Sequence, residues 1–582
     1  MTNLKRRRIL QTAALLAAST GLAACQGEPS AETRAPTGAP DAPTTPPLQP
    51  TATLQPAEPP AQQATPETHG ELPPLALLVV HRLQFGPAPG DWEAFEALGM
   101  NDDERLQVFL DMQLDPDRID DSEFEQRFYS AGFETLDKSL ETLASEHIVN
   151  NPYDDNDERH WQWYSKPVDE LMEATFLRAV YSKRQLQELL VDFRHNHFNI
   201  YAWQDDVAPL LPSYDRDVIR RHALGNFREM LEAVATHPSM LFYLDNRSNS
   251  DGGPNENFAR ELFELYTLGA ENYLGVHDPT SVAVDENGLA VGYVDNDVYE
   301  AARCFTGWRV DDDLWDGENE IGDTLSFRYY RAWHDRYNKL VLGRYLPADQ
   351  ADQQDGRDVL DLLARHPGTA HFIAGKLCRR FVSDTPPTSL VDVAASVFLN
   401  NSGAPDQLAQ VVRAILSSAE FRQAWRGKNK RPFEWAVAAL RGLQADFTRL
   451  PGGVRWTYDM MGQALFGHHP PDGYADTAGV WANTMVTLYG WNLSNGLTRN
   501  WWSEEAEGGS LKTDVWANTP AGLDTPEAAV DAWLERLQLV DFPAESRQAV
   551  VDFLAGGSPA ERSDRLPGAV ALIMMSPDFR CR

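Results

Sequence analysis

Apolar residues recur every three or four positions through most of residues 75–582. This spacing places them along one face of an α-helix, because a helix turns once every 3.6 residues. The pattern predicts a mainly α fold, a single large helical domain that could have two lobes. The stretches that show it are 122–146, 167–197, 215–236, 256–268, 297–306, 356–365, 368–383, 389–400, 405–418, 431–445, 526–538 and 543–555.

A different pattern interrupts the helices near residues 281–345. Apolar and polar residues alternate over 282–293 around Asn287-Gly288, a dipeptide that favours the positive φ angles of a tight hairpin turn. Short runs at 327–329 and 340–342 predict further strands. We therefore expect a small β-hairpin or meander inserted into the helical domain.

The first 24 residues have the pattern of an export signal. Positive charge at 5–8 precedes a short Ala- and Leu-rich run over 12–24. That run is too short for a membrane-spanning helix, which needs roughly 20 apolar residues. Arg6-Arg7 followed by Ile9-Leu10 is similar to a twin-arginine signal. These residues predict a signal peptide over 1–24.

The end of this signal is similar to a bacterial lipobox, Leu22-Ala23-Ala24-Cys25. In such a signal the cysteine becomes the lipidated first residue of the mature chain. The alternative is an ordinary signal peptide with a chance cysteine. The lipobox predicts lipidation of Cys25, a lipid anchor as the contact with the membrane, and a place in the cell envelope. Gln26 favours the outer membrane or the cell surface.

Residues 25–74 are predicted to be a disordered Pro/Ala/Thr-rich linker between the lipid and the folded body. Residues 26–74 hold 13 of the 38 prolines and no aromatic residue. Such a segment cannot bury enough apolar surface to offset the loss of chain entropy on folding. The helical domain is therefore expected to occupy residues 75–582.

The acidic excess limits the possible partners. The chain has 86 Asp and Glu against 51 Lys and Arg, a formal net charge of −35. A body of this charge repels phosphate backbones, so no nucleic-acid partner is expected. Beyond Cys25, the three cysteines Cys304, Cys378 and Cys581 allow one disulfide at most, and the pairing stays open.

Short segments in a consistent order from about residue 80 to the end form a recognisable series. The longest is 254–269, PNENFARELFELYTLG; the others are 81–87, 195–198, 214–220, 222–227, 243–246, 301–308, 334–335, 358–360, 366–367, 430–432 and 471–474. Together they resemble the bacterial domain of unknown function 1800 family. The resemblance implies an exported, mostly helical protein without an established activity. It also implies a candidate partner, because members are often found beside an exported sulfatase-like protein. The sequence departs from the family at Arg194, where a Trp is usual, and at 281–294, which looks like an insertion.

The helix predicted over 256–268 carries a polar stripe. At 100° per residue, Asn257, Glu261 and Glu264 share one face. Arg260 is spaced for ion pairs with Glu256 and Glu264. In one interpretation Glu261 and Glu264 face a cleft as a catalytic acid and base, or as metal ligands. In the other, the stripe is solvated or builds a structural polar network, to which Asn257, Arg260 and Arg303 are assigned.

Two histidine-containing pairs are candidates for chemistry. His195 and His197 end a helix, and they would bind one metal ion only if the helix ended there, because side chains two residues apart diverge by about 200° on a helix. Alternatively, one packs in the core and the other caps the helix. His334 and Asp335 are a candidate catalytic pair on a loop. A divalent-metal site of the Zn²⁺ or Mn²⁺ type would be assembled from His195, His197, Glu261, Glu264 and His334.

Two further segments allow two interpretations each. Residues 312–323 are either a solvated acidic loop or an imperfect calcium loop. A tryptophan-rich segment either stacks on carbohydrate beside asparagine amides or packs in a helical core. Its residues are Trp481, Trp491, Trp501 and Trp502, with Asn483, Asn492 and Asn495.

These observations give two hypotheses for function. The first is an exported, lipid-anchored protein that binds or scaffolds envelope or extracellular partners. The second is a metal-assisted hydrolase that acts on an envelope or extracellular polymer. The hydrolase requires the imidazole and carboxylate atoms to converge within about 4–5 Å in a cleft that solvent can reach.

Overall fold

The computed structural model describes residues 74–286, 288–312, 324–503, 509–523, 525–556 and 559–582, with the side chains of 559–563 left out. The predicted signal peptide, Cys25 and all but the last residue of the predicted linker lie outside the described residues. The acidic segment 312–323 lies outside them too, except for Asp312.

Helices form most of the described chain, which confirms the mainly α prediction. The longest is Glu158–Tyr181, which begins where the Asp157 carboxylate accepts the Arg159 N–H. The other α-helices of eight or more residues are Leu75–Arg82, Asp102–Gln113, Ser122–Ser130, Gln185–His197, Phe227–Thr236, Asp295–Cys304, Gln354–Ala364, Pro367–Phe381, Thr388–Asn400, Gln407–Leu416, Pro432–Gly442, Gly452–Asp459, Thr484–Thr498, Pro526–Arg536, Ala544–Ala555 and Pro559–Met574.

Shorter helical segments connect these elements. The short α-helices are Asp91–Glu96, Leu140–Ala144, Leu211–Ser213, Pro238–Tyr243, Asn257–Glu261, Ala419–Arg422, Ala478–Trp481 and Pro577–Arg580. Wider π turns occur at Ser145–Val149, Tyr214–Arg220 and Leu262–Tyr266. The tighter 3₁₀ turns are Pro116–Arg118, Ala208–Leu210, Asn246–Ser248, Ala270–Asn272, Pro279–Ser281 and Arg331–Trp333.

Two His-Pro pairs show how local sequence fixes a helix start. The His237 ring nitrogen accepts the Ser239 N–H at 3.2 Å, and the His366 ring nitrogen accepts the Gly368 N–H at 2.9 Å. The following proline has no N–H and a φ angle already suited to the first turn. Each histidine therefore caps a helix that begins at the next residue.

Two small antiparallel sheets interrupt the helices, as the alternating pattern predicts. Trp308–Val310 pairs with Phe327–Tyr329, and Lys339–Val341 pairs with Arg344–Leu346. The hairpin predicted around 287–288 is reduced to one antiparallel bridge between Val284 and Ala290. Gly288 has a φ of +71° in that turn, and Asn287 lies outside the described residues.

The buried apolar side chains form two clusters. The first is drawn from residues between Leu75 and Ala424, and the second mainly from residues between Phe433 and Phe579. The long helices Glu158–Tyr181 and Gln185–His197 contribute side chains to both clusters. Both apolar clusters therefore pack against these two helices.

A buried arginine ties distant segments together. Arg82 is fully buried, and its two Nη atoms donate to four backbone carbonyls at 2.6–2.8 Å. These carbonyls belong to Phe381, Val382, Ala424 and Arg582. The arginine of the first family-like segment, 81–87, therefore holds the chain terminus against three other parts of the fold.

The three cysteines of the described chain are unpaired. Cys304 and Cys378 are buried, and Cys581 is partly exposed. Burial raises the pKa of the Cys378 thiol to about 12, so this thiol stays protonated at neutral pH. No helix in the part of the chain that the structure describes is long and apolar enough to cross a membrane.

Candidate functional site

The two predicted histidine ligands bond to different partners. The His195 Nε2 lies 2.9 Å from Asp215 Oδ1. The His197 Nε2 donates to the Tyr266 carbonyl at 3.1 Å, since a carbonyl oxygen can only accept. The helix Gln185–His197 continues through both residues, so the two rings leave it on opposite sides.

Asp215 is a buried carboxylate shared by three basic groups. The Arg220 Nε lies 2.7 Å and the Arg178 Nη1 3.5 Å from its Oδ2. Burial alone would raise the pKa of Asp215, but Arg220, His195 and Arg178 hold it well below its ordinary value. His195 therefore takes part in a network that joins the end of its helix to the π turn Tyr214–Arg220.

His334 and Asp335 belong to a second network, beside the strand Lys339–Val341. The His334 Nε2 lies 3.1 Å from Asp355 Oδ2. Arg303 binds both oxygens of Asp335, through Nε at 2.7 Å and Nη2 at 3.1 Å. Both side chains of the predicted catalytic pair are thus held by partners: His334 lies against Asp355, and Asp335 forms an ion pair with Arg303.

Asn257 and Arg260 lie on the short helix Asn257–Glu261. The Asn257 Nδ2 donates to the Leu244 carbonyl at 3.1 Å. The Arg260 Nη2 lies 2.9 Å from Glu256 Oε2, as the spacing predicts. The other predicted pair, from Arg260 to Glu264, is not among the ion pairs of the described residues.

The predicted metal centre is not assembled. Among the residues that the structure describes, no three His, Cys, Asp or Glu side chains are grouped so that they could hold a metal ion. The three histidine Nε2 atoms face Asp215, the Tyr266 carbonyl and Asp355 in separate surroundings. In the described residues, the structure therefore does not bring His195, His197, Glu261, Glu264 and His334 together into one such group.

The polar stripe lies where the helix changes its winding. The α-helix Asn257–Glu261 passes directly into the π turn Leu262–Tyr266, so the helix predicted over 256–268 widens at its middle. The Thr267 hydroxyl donates to the Leu262 carbonyl at 2.6 Å and closes this end. Single π turns within helices are frequent at functional sites, because they redirect the side chains next to them.

Glu261 has the most perturbed carboxyl group of this stripe. The side chain is half-buried, and its carboxylate has no hydrogen bond or ion pair with any described residue. Burial is the main cause that raises the pKa of Glu261 to about 7, the charges of Glu264 and Asp472 add to it, and Arg260 opposes them. At neutral pH the group therefore exists in both protonation states.

A loop that includes Asp472 is fixed beside Glu261 by backbone contacts. The Asn196 amide bonds to Tyr474 in both directions at 2.7 Å. The Asn199 Nδ2 donates to the carbonyls of His468 and Pro470 at 2.9 and 2.8 Å. These bonds hold Asp472 where its charge acts on Glu261.

Lys376, on the helix Pro367–Phe381, is linked to this region through the charge of Asp472. Its Nζ lies 5.2 Å from the centre of the Phe372 ring. Burial lowers the pKa of Lys376 to about 8, with a further lowering by Arg379 and Arg194, while Asp476 and Asp472 oppose it. We call Glu261, Glu264, Asp472 and Lys376 the polar junction.

Four of the family-like segments meet at the polar junction: 195–198, 243–246, 254–269 and 471–474. The Tyr243 hydroxyl, for example, donates to the His469 carbonyl at 2.6 Å. The helical spacing of the sequence points to Glu261 and Glu264, but not to Asp472 or Lys376. Asp472 lies in a Pro-Pro-Asp-Gly turn, which was the available signal, while nothing local to Lys376 distinguishes it.

A second candidate surface lies on the helix Thr484–Thr498, which has no charged residue. At 100° per residue, Met485, Leu488, Tyr489 and Asn492 share its outer side. The Trp456 ring meets the Tyr489 ring edge to face at 5.8 Å, and the Trp491 Nε1 donates to the Met575 carbonyl at 3.2 Å. We call Trp456, Met485, Leu488, Tyr489, Trp491, Asn492 and Trp501 the aromatic face.

The tryptophans of this region divide between the two interpretations. Trp481 is buried, as expected for a helical core. Trp456, Trp491 and Trp501 are 58%, 44% and 59% exposed, although tryptophan is usually buried for most of its surface. The aromatic face therefore presents three exposed tryptophan rings and an amide. The helix Thr484–Thr498, which carries Trp491 and Asn492, has no charged residue.

The fold and these surfaces define a mainly α protein with a small β insertion, a half-buried carboxyl group of raised pKa and an exposed aromatic face. A model of the family described as protein of unknown function (DUF1800) matches residues 78–581. The chain belongs to this family, as the segments in its sequence predict. No curated protein and no solved structure matches the chain.

Proposed function

We propose that this protein is exported, anchored by a lipid at Cys25, and binds an uncharged polysaccharide of the cell envelope or the extracellular medium through its aromatic face. The observation that carries the proposal is the exposure of Trp456, Trp491 and Trp501 around a helix without charges. Large exposed apolar surfaces on soluble domains usually mark interaction sites.

The chemistry of the aromatic face suits a neutral sugar polymer. The C–H groups of a sugar ring pack on flat aromatic rings, and sugar hydroxyls bond to amides such as Asn492. A neutral ligand also avoids repulsion by a chain whose formal charge is −35. A strongly anionic polymer would meet that repulsion.

Affinity electrophoresis in gels that contain a neutral polysaccharide tests the binding. We expect wild-type protein to be retarded in at least one of dextran, starch or xylan, and W456A, W491A and W501A each to weaken the retardation severalfold. The matched control is W161A, since Trp161 is a 50% exposed tryptophan on another helix. Equal retardation of all four variants would contradict the proposal, and so would no retardation in any neutral gel.

The anchor has a separate test. Wild-type protein should fractionate with membranes and carry a fatty acid on its N-terminal peptide by mass spectrometry, whereas C25S should lack the lipid. Replacing Arg6-Arg7 with two lysines should retain the precursor in the cytosol if the twin-arginine assignment is right. A cytosolic, unlipidated wild-type protein would refute this part of the proposal.

A second candidate function, hydrolysis of the bound polymer, is supported by Glu261. A carboxyl group with a pKa of about 7 can donate a proton at neutral pH, and the nearby Asp472 could act as its base. In this form the reaction uses the polar junction and no longer the five-residue metal centre. E261Q should abolish the release of reducing sugar while binding in the gel is kept; release that survives E261Q would remove the candidate.

The sulfatase-like partner that the family resemblance implies is a further proposal. Co-purification from detergent-solubilised membranes, followed by mass spectrometry of the bound proteins, tests it. Absence of any sulfatase-like protein above the level in a C25S preparation would count against it.

A further inference from the structure

Arg194 is a buried cation without a counter-ion in the described chain. It lies on the last turn of the helix Gln185–His197 and is 0% exposed. Its Nε, Nη1 and Nη2 atoms all lack a hydrogen-bond partner among the residues that the structure describes. Its guanidinium carbon lies 5.1 Å from the centre of the ring of the preceding residue, Phe193.

Other buried arginines of this protein show the contrast. Arg82 uses its Nη atoms on four carbonyls, and Arg380 is paired with both Glu434 and Asp192. In the described part of the chain, Arg194 is the one arginine with all three nitrogens buried and unpartnered. A fully buried guanidinium without an acceptor is costly, because it loses its hydration and gains nothing in exchange.

Two further groups near Arg194 are unused. His197 is one helical turn further along the same helix, and its Nδ1 is buried without a partner in the described structure. The Phe372 ring lies between His197, whose ring centre is 6.2 Å away, and the Lys376 Nζ at 5.2 Å. The Lys376 ammonium forms no hydrogen bond or ion pair within the described ranges.

These groups also act on one another electrostatically. After burial, the nearby charges of Lys376 and Arg194 hold the pKa of His197 well below its ordinary value. Burial lowers the pKa of Arg194 to about 9, which leaves it charged at neutral pH. Two cations are therefore packed around a neutral imidazole, with Asp472 and Asp476 acting on Lys376 from its other side.

We propose that Arg194, His197 and Lys376 form a buried binding site for a small oxyanion. The planar guanidinium offers five N–H donors in a fork that matches two oxygens of a phosphate, sulfate or carboxylate group. Lys376, which is partly exposed, would add a point charge at the entrance. The His197 Nδ1, with its partner Nε2 donating to Tyr266, is free to accept a hydrogen from a protonated ligand oxygen.

The proposal is independent of the aromatic face and of catalysis at Glu261. Its test is the thermal stability of the purified full-length protein in sodium phosphate and in sodium sulfate, against sodium chloride at equal ionic strength. A ligand at 100 times its dissociation constant stabilises the folded state, so one of the two oxyanions should raise the melting temperature by about 3 °C or more over chloride. The shift should saturate with concentration.

The variants make the assignment specific. R194M should abolish the saturable shift, and it should melt at a higher temperature than wild type in chloride because the unpaired charge is gone. K376M should reduce the apparent affinity for the oxyanion about tenfold. K183M, which removes a charge from a 54% exposed side chain that lies 3.3 Å from Glu123, is the control and should respond as wild type does.

Two results would refute the proposed oxyanion site. If wild-type protein shows no shift beyond that in chloride, or if folded R194M keeps the shift, Arg194 binds no oxyanion. If R194M does not fold, K376M decides the question: an unchanged affinity in K376M refutes the site, and a reduced affinity beside an unchanged K183M supports it.

Discussion

Arg82 illustrates how one side chain can organise residues far apart in sequence. Its two Nη atoms donate to the carbonyls of Phe381, Val382, Ala424 and Arg582, so one buried side chain joins three separate stretches of the chain. The neighbouring carboxylate Glu434 is held in the same region by Arg582 at 2.7 Å and by Arg380. Much of the polar sequence of this family member is thus used for architecture.

R82M should lower the free energy of unfolding by about 3–5 kcal/mol, because it leaves buried carbonyls without donors. Urea denaturation followed by circular dichroism measures the change. R118M, at an 80% exposed side chain, is the control and should change the stability by less than about 0.5 kcal/mol. A similar small effect of both substitutions would show that the hydrogen bonds of Arg82 do not stabilise the fold.

Glu261 makes stability depend on pH in a defined direction. Its pKa is raised from 4.5 to about 7, so the folded state keeps a proton that the unfolded state releases. This contribution is fully present below about pH 4.5 and is lost as the pH rises through about 7. The charges that face the group are those of Glu264, Asp472 and Arg260.

E261Q should therefore lose part of the fall in stability between pH 5 and pH 8 that the wild type shows. Denaturation midpoints at the two pH values measure it. E141Q, at a solvent-exposed glutamate, should keep the wild-type profile. If E261Q and E141Q behave alike, the carboxyl of Glu261 titrates normally.

At the scale of elements, the helix Thr484–Thr498 has one face in the core and one toward solvent. A Cβ atom at Gly490 would lie 2.4 Å from the ring of buried Trp435. The helix can therefore approach the helix Pro432–Gly442 only because residue 490 has no side chain. Its outer side, free of such contacts, is the aromatic face.

G490A should destabilise the protein by about 1–3 kcal/mol, because the added methyl group forces Trp435 or the helix to move. Thermal melting measures the effect. The matched control is G479A, where a Cβ meets nothing within 4 Å, and it should be neutral or slightly stabilising. A neutral G490A would mean that the two helices are not tightly packed.

At the scale of the whole molecule, two apolar clusters share the helices Glu158–Tyr181 and Gln185–His197. Neither cluster can lose its packing without exposing side chains of these helices. We therefore predict one cooperative unfolding transition for the folded domain. Two lobes that shared only a flexible linker would unfold separately.

Differential scanning calorimetry measures this cooperativity. One transition is expected for the wild type, and R82M and G490A, which lie at different clusters, should each lower the temperature of that whole transition. Two resolved transitions, with each variant shifting only one of them, would show that the halves are independent.

Much of the fold could be predicted from the sequence, because the apolar spacing that forms a helix depends only on residues a few positions apart. The helix Asp295–Cys304 and the helix Thr388–Asn400 follow the apolar spacing to within two residues of the predicted bounds. The helix Thr484–Thr498 was missed, because glycine, threonine, asparagine and exposed aromatics on its outer side hide the apolar period. Of the four short strands, the sequence predicts Phe327–Tyr329 and Lys339–Val341, while their partners Trp308–Val310 and Arg344–Leu346 were not predicted.

The candidate site could be predicted only in part. Glu261 and Glu264 were identified because one helix determines their common face. Asp472 and Lys376 were not, because more than 90 positions separate each of them from Glu261, and backbone bonds from Asn196 and Asn199 bring the 468–474 loop to it.

The sequence by itself determined the helical class and the net charge of −35, and it predicts the export signal, since each depends on composition or on residues a few positions apart. Only the tertiary structure decided what the polar side chains face: His195 bonds to Asp215, His334 to Asp355, and Arg194 to nothing in the described chain. The reason is that the local backbone conformation sets the direction of a side chain. The partner that it meets depends on which distant helix or loop packs against it.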